Sequence, residues 1–311
     1  MIILLSFVLT LRPAYAQRHA MRVMTWNVEN MFDCQDDSLT NDAEFLPDAK
    51  RKWTWGRYWK KMESLGRVIL AVGKEEPVDL VGLCEVENDS VMHDLTKKGL
   101  LGAVSYRYVM TNGSDQRGVD VALLYQPARF RLLDWHAVRI PSKENAFPPT
   151  RDILWTKGIT FQRDTLHVIV CHFPSRTNGM KSERHRRLAS QTLAALVDSI
   201  GTDKNILVMG DFNADPQDPI FRTLGVLQDN VPQKRYPDIG SYNFRGIWSW
   251  IDHILISSSL IHRSAMAAPY YAPWMCTTNA NGFWRPRRTY LGTYYNGGVS
   301  DHLPIWMDIN P

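Results

Sequence analysis

The chain has 311 residues, 44% hydrophobic and 22% charged, with formal net charge +4. That is enough apolar mass for a large core, and no long single-sign charge block occurs, which argues against a disordered chain. The mild positive balance suits a polyanionic substrate without establishing one.

The opening MIILLSFVLTLRPAYA comes before any fold argument. Its apolar run, Met1 to Leu11, is too short to span a bilayer and ends in Ala14-Tyr15-Ala16, a small-x-small cleavage pattern. We read residues 1–16 as a secretory signal peptide and 17–311 as one domain, secreted or periplasmic. No Lys or Arg precedes the apolar run, and the alternative reading is a buried first strand. No later run is long enough for a membrane helix, so no stable membrane insertion is expected.

Along the chain, Arg22 to Trp26 alternates like a strand and runs into Asn27. Residues 58 to 72 place Met62, Leu65, Ile69 and Val72 on one helical face. Asp79 to Cys84 is a near-continuous apolar run, the mark of a strand buried on both faces, and it meets Glu85. Val119 to Tyr125, with Asp120 inside it, and Ile153 to Phe161, preceded by Arg151, are further strands. His167 to Cys171 ends at His172, and residues 182 to 199 form a helix. Asn205 to Met209 runs into Gly210-Asp211-Phe212-Asn213. Trp250 to Ile256 carries Asp252, and Asp301-His302 precedes a last strand, Leu303 to Met307. Residues 231–247 and 267–298 read as loops rich in Pro, Gly, Tyr and Trp.

The four cysteines fit no zinc spacing. Cys84 and Cys171 read as core residues, and a Cys34–Cys276 bridge is open in an oxidising compartment.

Buried strands that end in polar residues suggest packed layers with a site at the strand ends. Asn27, Glu85, His172, Asp211, Asn213, Asp252, Asp301 and His302 all lie at such ends. Converging carboxylates repel one another without a cation, and oxygen donors of this kind suit a hard ion: Mg²⁺, Mn²⁺ or Ca²⁺. Taken singly, each residue has a bland reading as a turn, cap or surface group. The set in order is what carries the argument.

Six blocks, TWNVENMFD (25–33), GLCEVEN (82–88), HFPSR (172–176), GDFNADP (210–216), IDHILIS (251–257) and SDHLPI (300–305), occur in one order. In these the chain resembles the endonuclease/exonuclease/phosphatase superfamily, which includes pancreatic-type deoxyribonucleases, apurinic-site endonucleases, neutral sphingomyelinases and inositol-polyphosphate phosphatases. The resemblance implies an α/β fold: a four-layer αββα sandwich of two packed, mainly antiparallel sheets flanked by helices. It implies metal ligation by Asn27, Glu85 and Asp301, and catalysis by His172, Asp211, Asn213, Asp252 and His302, with Asp252 orienting His302. His172 points to the deoxyribonuclease/sphingomyelinase-like branch. Asp120 is expected to support His172, with a pair to Arg117 as its alternative. Arg151 is expected to touch a substrate phosphate, with a solvated strand end as its alternative.

The expected function is divalent-metal-dependent phosphoester hydrolysis by a monomer, with nucleic acid as first substrate. The Phe283–Arg288 loop, which mixes aromatic and basic groups, favours that substrate. The alternatives are a phosphatase or phospholipase-like esterase on a small or lipid phosphoester, for which Trp53, Trp55, Tyr58 and Trp59 would line a groove or touch a membrane, although such aromatics more often belong to the core, and an inactive binding protein on the same fold.

Overall fold

The computed structural model describes residues 20–142, 148–177, 179–230, 235–278 and 282–311; the expected signal segment, 1–16, lies outside them. In chain order the elements are β1 (Met21–Met31), α1 (Trp55–Gly73), β2 (Leu80–Val86), α2 (Asp89–His93), β3 (Arg107–Met110), β4 (Asp120–Tyr125), β5 (Phe130–Val138), β6 (Ile153–Thr160), β7 (Thr165–His172), α3 (Met180–Ile200), β8 (Ile206–Asp211), α4 (Ile220–Thr223), β9 (Leu227–Asp229), β10 (Tyr242–Phe244), β11 (Ile247–Ser249), β12 (Asp252–Ser257), β13 (Ala268–Pro269), β14 (Cys276–Thr278), β15 (Trp284–Pro286), β16 (Tyr290–Leu291), β17 (Tyr294–Tyr295) and β18 (Ile305–Ile309).

Two six-stranded sheets form, in the orders β13-β18-β1-β2-β4-β3 and β5-β6-β7-β8-β12-β9. Pairing is antiparallel except for β1 with β2 and β7 with β8. The alternation of side chains along each strand explains the layering. Val23, Leu80 and Cys84 point into one core together with Val168, Val170, Leu207 and Met209 of the other sheet. Met24, Trp26, Val81 and Leu83 point the other way, onto Met62, Leu65 and Ile69 of α1. Ile169, Cys171, Ile206 and Val208 pack on Ala189, Leu193 and Val197 of α3. Helix, sheet, sheet and helix therefore stack as the sequence implied. Gly82 leaves room for the facing sheet, because a Cβ there would press on the Met209 side chain.

Two readings that the sequence leaves open are decided, and one expectation, the loops, is corrected. Cys34 and Cys276 are both buried free thiols, so no bridge joins them. The stretches read as loops contain the β10–β11, β14–β15 and β16–β17 hairpins, whose strands of two or three residues are too short to show a period. Trp53 and Tyr58 are core residues, whereas Trp55 and Trp59 are half-exposed around a hollow with Asp33 and His93 that shares no residue with the cavity holding His172, Asp211 and His302.

Candidate active site

Register builds the site. The parallel pairing of β7 and β8 sets His172 opposite Asp211, and the antiparallel pairing of β8 and β12 sets Asp211 opposite Asp252. Gly210, at φ +146°, has no room for a Cβ against the Cys171 carbonyl, so only glycine lets β8 deliver Asp211 this close to β7. On the other sheet, Glu85 takes φ +66° in an irregularity of β2 that turns its carboxylate into the same space. Asn27, Glu85, His172, Asp211, Asn213, Asp301 and His302 all line one cavity of about 520 Å³ at the strand ends.

The Asp211 carboxylate is the hub. Its Oδ2 accepts from Asn27 Nδ2 at 3.0 Å and lies 3.7 Å from His172 Nε2 and 3.9 Å from His302 Nε2. Its Oδ1 accepts the Asn213 N–H at 2.8 Å. The Asn213 side-chain amide donates to the Phe173 carbonyl at 3.0 Å, holding the turn after β8. Asn27 Oδ1 accepts the Glu29 N–H, and a carbonyl oxygen keeps a second lone pair for another partner.

His302 is fixed from several directions. Its Nδ1 and Asp252 Oδ2 are 2.7 Å apart, its N–H donates to Ser300 Oγ, and its carbonyl accepts from Trp26 Nε1. The Ser300 hydroxyl donates to the Asn27 carbonyl, which ties the segment before β18 to β1 of the same sheet. Asp301 is paired with Arg288 and lies 3.9 Å from His302 Nε2. Behind this lies a connection without a sequence signal. Lys61 of α1, fully buried, donates to the Glu29 carbonyl and to Thr289 Oγ1, while the Thr289 N–H donates to the Glu29 carboxylate.

The two histidines have opposite electrostatics. Burial alone would discharge His302, but Asp252, Asp301 and Asp211 overcome it and hold its pKa up to about 10. Burial pushes His172 well below the ordinary range, and Arg151 adds to this. Asp211 is pushed up to about 7 by burial and by Asp252. Burial opposes ionisation of Glu85 too, but Arg117, 3.3 Å away, and the Asn30 N–H that donates to its carboxylate hold it well below the usual carboxylate range. Environments that drive paired groups apart in this way assign distinct acid and base duties.

Two expected supporting contacts do not form. Asp120 accepts from Thr111 Oγ1 at 2.5 Å and from the Gly113 N–H at 2.9 Å, bonding to neither His172 nor Arg117; His172 Nδ1 has no hydrogen-bond partner. Those local donors satisfy Asp120 within its own sheet edge. Arg151 is buried, donating to Asp115 at 3.0 Å and to the Phe173 carbonyl at 2.8 Å, and it lines a neighbouring hollow instead of the catalytic cavity. In the Phe283–Arg288 loop, Arg288 is spent on Asp301 and Arg287 on the Asn296 carbonyl. Residues not anticipated are Arg117, Arg176, Tyr242, Phe244 and Ile247, which line the cavity from loops and a short hairpin.

The donor set fits a hard divalent cation. Among the described residues, Asp211, Asp252 and His302 place ligand atoms within 4.8 Å of one another. Burial first, and then repulsion from Asp252, raise the Asp211 pKa, and a cation beside it would offset both. The Asp252–His302 hydrogen bond already occupies one side of that set, which leaves Asp211 with Glu85, Asn27 and Asp301 as the oxygens facing the cavity.

The sequence matches the model of the Endonuclease/Exonuclease/phosphatase family over residues 22–311. No curated protein sequence matches at a significant level. Among solved structures, a humanized TDP2 from D. rerio superposes with TM-score 0.59 at 16% identity, covering 94% of this chain and 100% of that one. The human Nocturnin catalytic domain gives 0.59 at 19%, covering 94% of each chain. A mannosyl-6-phosphatase from Bacteroides thetaiotaomicron gives 0.58 at 16%, covering 92% and 98%.

Proposed function

The chain belongs to the Endonuclease/Exonuclease/phosphatase family, and from that premise we propose that it is a divalent-metal-dependent hydrolase of phosphodiesters, with nucleic acid as the first substrate class. One observation carries the reading: Asp211 sits between a charged and a neutral histidine on the wall of one open cavity. Hydrolysis of a phosphodiester needs a group to take the proton of water and a group to steady the charge that develops on phosphorus-bound oxygen. Asp211, its Oδ2 within 3.9 Å of both histidines and facing the cavity, is placed for the first task. His302, held as imidazolium by Asp252, presents Nε2–H for the second. His172, neutral, offers Nε2 as a hydrogen-bonding group beside Glu85 and Asp211.

Glu85, Asn27 and Asp301, which face the cavity, would hold Mg²⁺ or Mn²⁺, and the ion would supply Lewis-acid stabilisation to the phosphate when bound. Around it this chain's own groups orient the phosphate. The cationic side chains on the cavity are already matched to carboxylates: Arg117 with Glu85 and Arg176 with Asp215. A singly charged diester asks less of such a wall than a doubly charged monoester does, which favours the nuclease-like reading over the phosphatase one.

We also place the protein outside the cytosol, on the apolar run and Ala-Tyr-Ala of the first sixteen residues. No helix among the described residues is long and apolar enough to cross a membrane.

Purified protein with Mg²⁺ or Mn²⁺ should cleave plasmid DNA or RNA and bis-para-nitrophenyl phosphate, and EDTA should stop it. Intact DNA and RNA alongside rapid consumption of a sugar phosphate or of sphingomyelin would replace this reading with the phosphatase or lipid-esterase one.

A further inference from the structure

The catalytic cavity has a second wall that the chemistry above leaves unused. Tyr242, Phe244, Ile247 and Ile251 close one side of the space that holds His172, Asp211 and His302. Phe244 and Ile247 face each other across the β10–β11 register and are 56% and 72% exposed. Large apolar side chains left open beside catalytic groups mark a surface that something else covers.

The hairpin that carries them is braced from behind. Gly246, at φ +91°, lies so close to the Phe283 ring that a Cβ would collide with it. Trp248 packs on Trp284 with ring centroids 5.4 Å apart, and Trp284 packs edge-on against Tyr271 at 5.3 Å. At the base, Tyr242 lies against the His302 ring, 4.9 Å between centroids. The wall is thus held rigidly in line with the catalytic histidine. The Arg245 guanidinium sits 5.2 Å over the Phe244 ring, adding a flat cation at its edge.

We infer that this wall is a subsite for a planar ring carried by an alcohol or phenol esterified to the scissile phosphate, the base of a nucleoside or an aryl ring, packed on Phe244 and Ile247. The inference rests on the phosphodiesterase reading and narrows it to esters carrying such a ring. A flat ring matches an aromatic face and a β-branched side chain and gains stacking contact. A bare sugar would set hydroxyls against carbon, where they find no partners.

The test uses phosphodiesters that share a ring-free hexafluoroisopropyl leaving group, followed by fluorine NMR, and differ in the second ester: methyl, hexyl, phenyl and thymidine 5′. The phenyl and thymidine esters should show KM about tenfold or more below the methyl ester, the scale of stacking on an aromatic side chain. In Phe244→Ala and Ile247→Ser the methyl-to-phenyl KM ratio should collapse toward one, and Phe244→Tyr, which keeps the ring, should restore it. Both positions are exposed, so the fold does not depend on them. A ratio near one in the unaltered protein, or a ratio that survives both substitutions, overturns the inference while leaving the phosphodiesterase reading intact. A hexyl ester preferred over phenyl also overturns it, in favour of an acyl-chain groove. If no ester is hydrolysed the phosphodiesterase reading falls, and calorimetry decides the subsite without turnover. Thymidine 5′-monophosphate should then bind about tenfold tighter than ribose 5-phosphate, an advantage lost in Phe244→Ala; equal binding overturns the subsite.

Discussion

His302 and Asp252 meet through a 2.7 Å hydrogen bond between side chains almost wholly shielded from water, with Asp211 on the far side of the imidazole. Removing the Asp252 charge should therefore change His302 itself. Asp252→Asn keeps the shape but removes the main support for the imidazolium. Turnover should fall by about 10²- to 10⁴-fold, the usual range for a disabled proton-transfer group, and the His302 pKa should drop from about 10. The pH–rate profile and the histidine NMR titration check both. An unchanged titration would separate the two residues functionally.

Stability should depend on pH and on divalent cation together. Asp211 binds its proton more tightly folded than unfolded, because burial and Asp252 penalise its charge. A raised folded pKa gives stability that is whole below the ordinary 3.8 and lost as pH rises through about 7. His302, held up to about 10, keeps its proton across that window. A cation replaces the missing proton, so the Mg²⁺-induced rise in Tm should be small at about pH 5 and larger at about pH 8. At one hundred times Kd the gain is about 2.7 kcal/mol, or several degrees. Equal shifts at both pH values would contradict this.

Arg117 and a cation compete for Glu85. The guanidinium lies 3.3 Å from Oε1 and also donates to Asn30 Oδ1. Arg117→Ala should tighten Mg²⁺ binding by several-fold in calorimetry, since no like charge then has to be displaced. Weaker binding in the variant would instead make Arg117 a support for the ligand carboxylate.

Asp120 and His172 should act independently. Asp120 is spent on Thr111 and Gly113, so the losses in Asp120→Asn, His172→Ala and the double variant should add within about 0.5 kcal/mol. A large coupling in the kinetic double-mutant cycle would restore the pairing the sequence suggested.

Asp211, His172 and Asp252 were legible because apolar strand runs end on them, and the antiparallel and parallel registers bring those ends together. The central strands of both sheets were legible from apolar runs and the two long helices from one apolar face each, whereas β3, β5, β9 and β13, mostly short or solvent-facing, were not. Side-chain partners were not legible. Asp120 reads as a mid-strand acid facing the site, yet its neighbours after folding come from the turn at residues 111–113. Arg151 reads as a free cation, but Asp115 reaches it from a distant loop. Arg117, Tyr242 and Phe244 carry no period, because they sit in loops and in strands of three residues. Only the juxtaposition of β10–β11 with β15 and His302 gives them a role.

The central claim is that Glu85 holds the cation on which phosphodiester cleavage depends. The direct measurement is hydrolysis of bis-para-nitrophenyl phosphate by the purified protein and by Glu85→Gln, each titrated with Mg²⁺ after EDTA treatment. The account predicts no activity in EDTA, saturable recovery in the unaltered protein, and a Gln variant that stays folded but loses both recovery and the Mg²⁺-induced rise in Tm. Full activity in EDTA, or near-normal activity and Mg²⁺ response in Glu85→Gln, would contradict it.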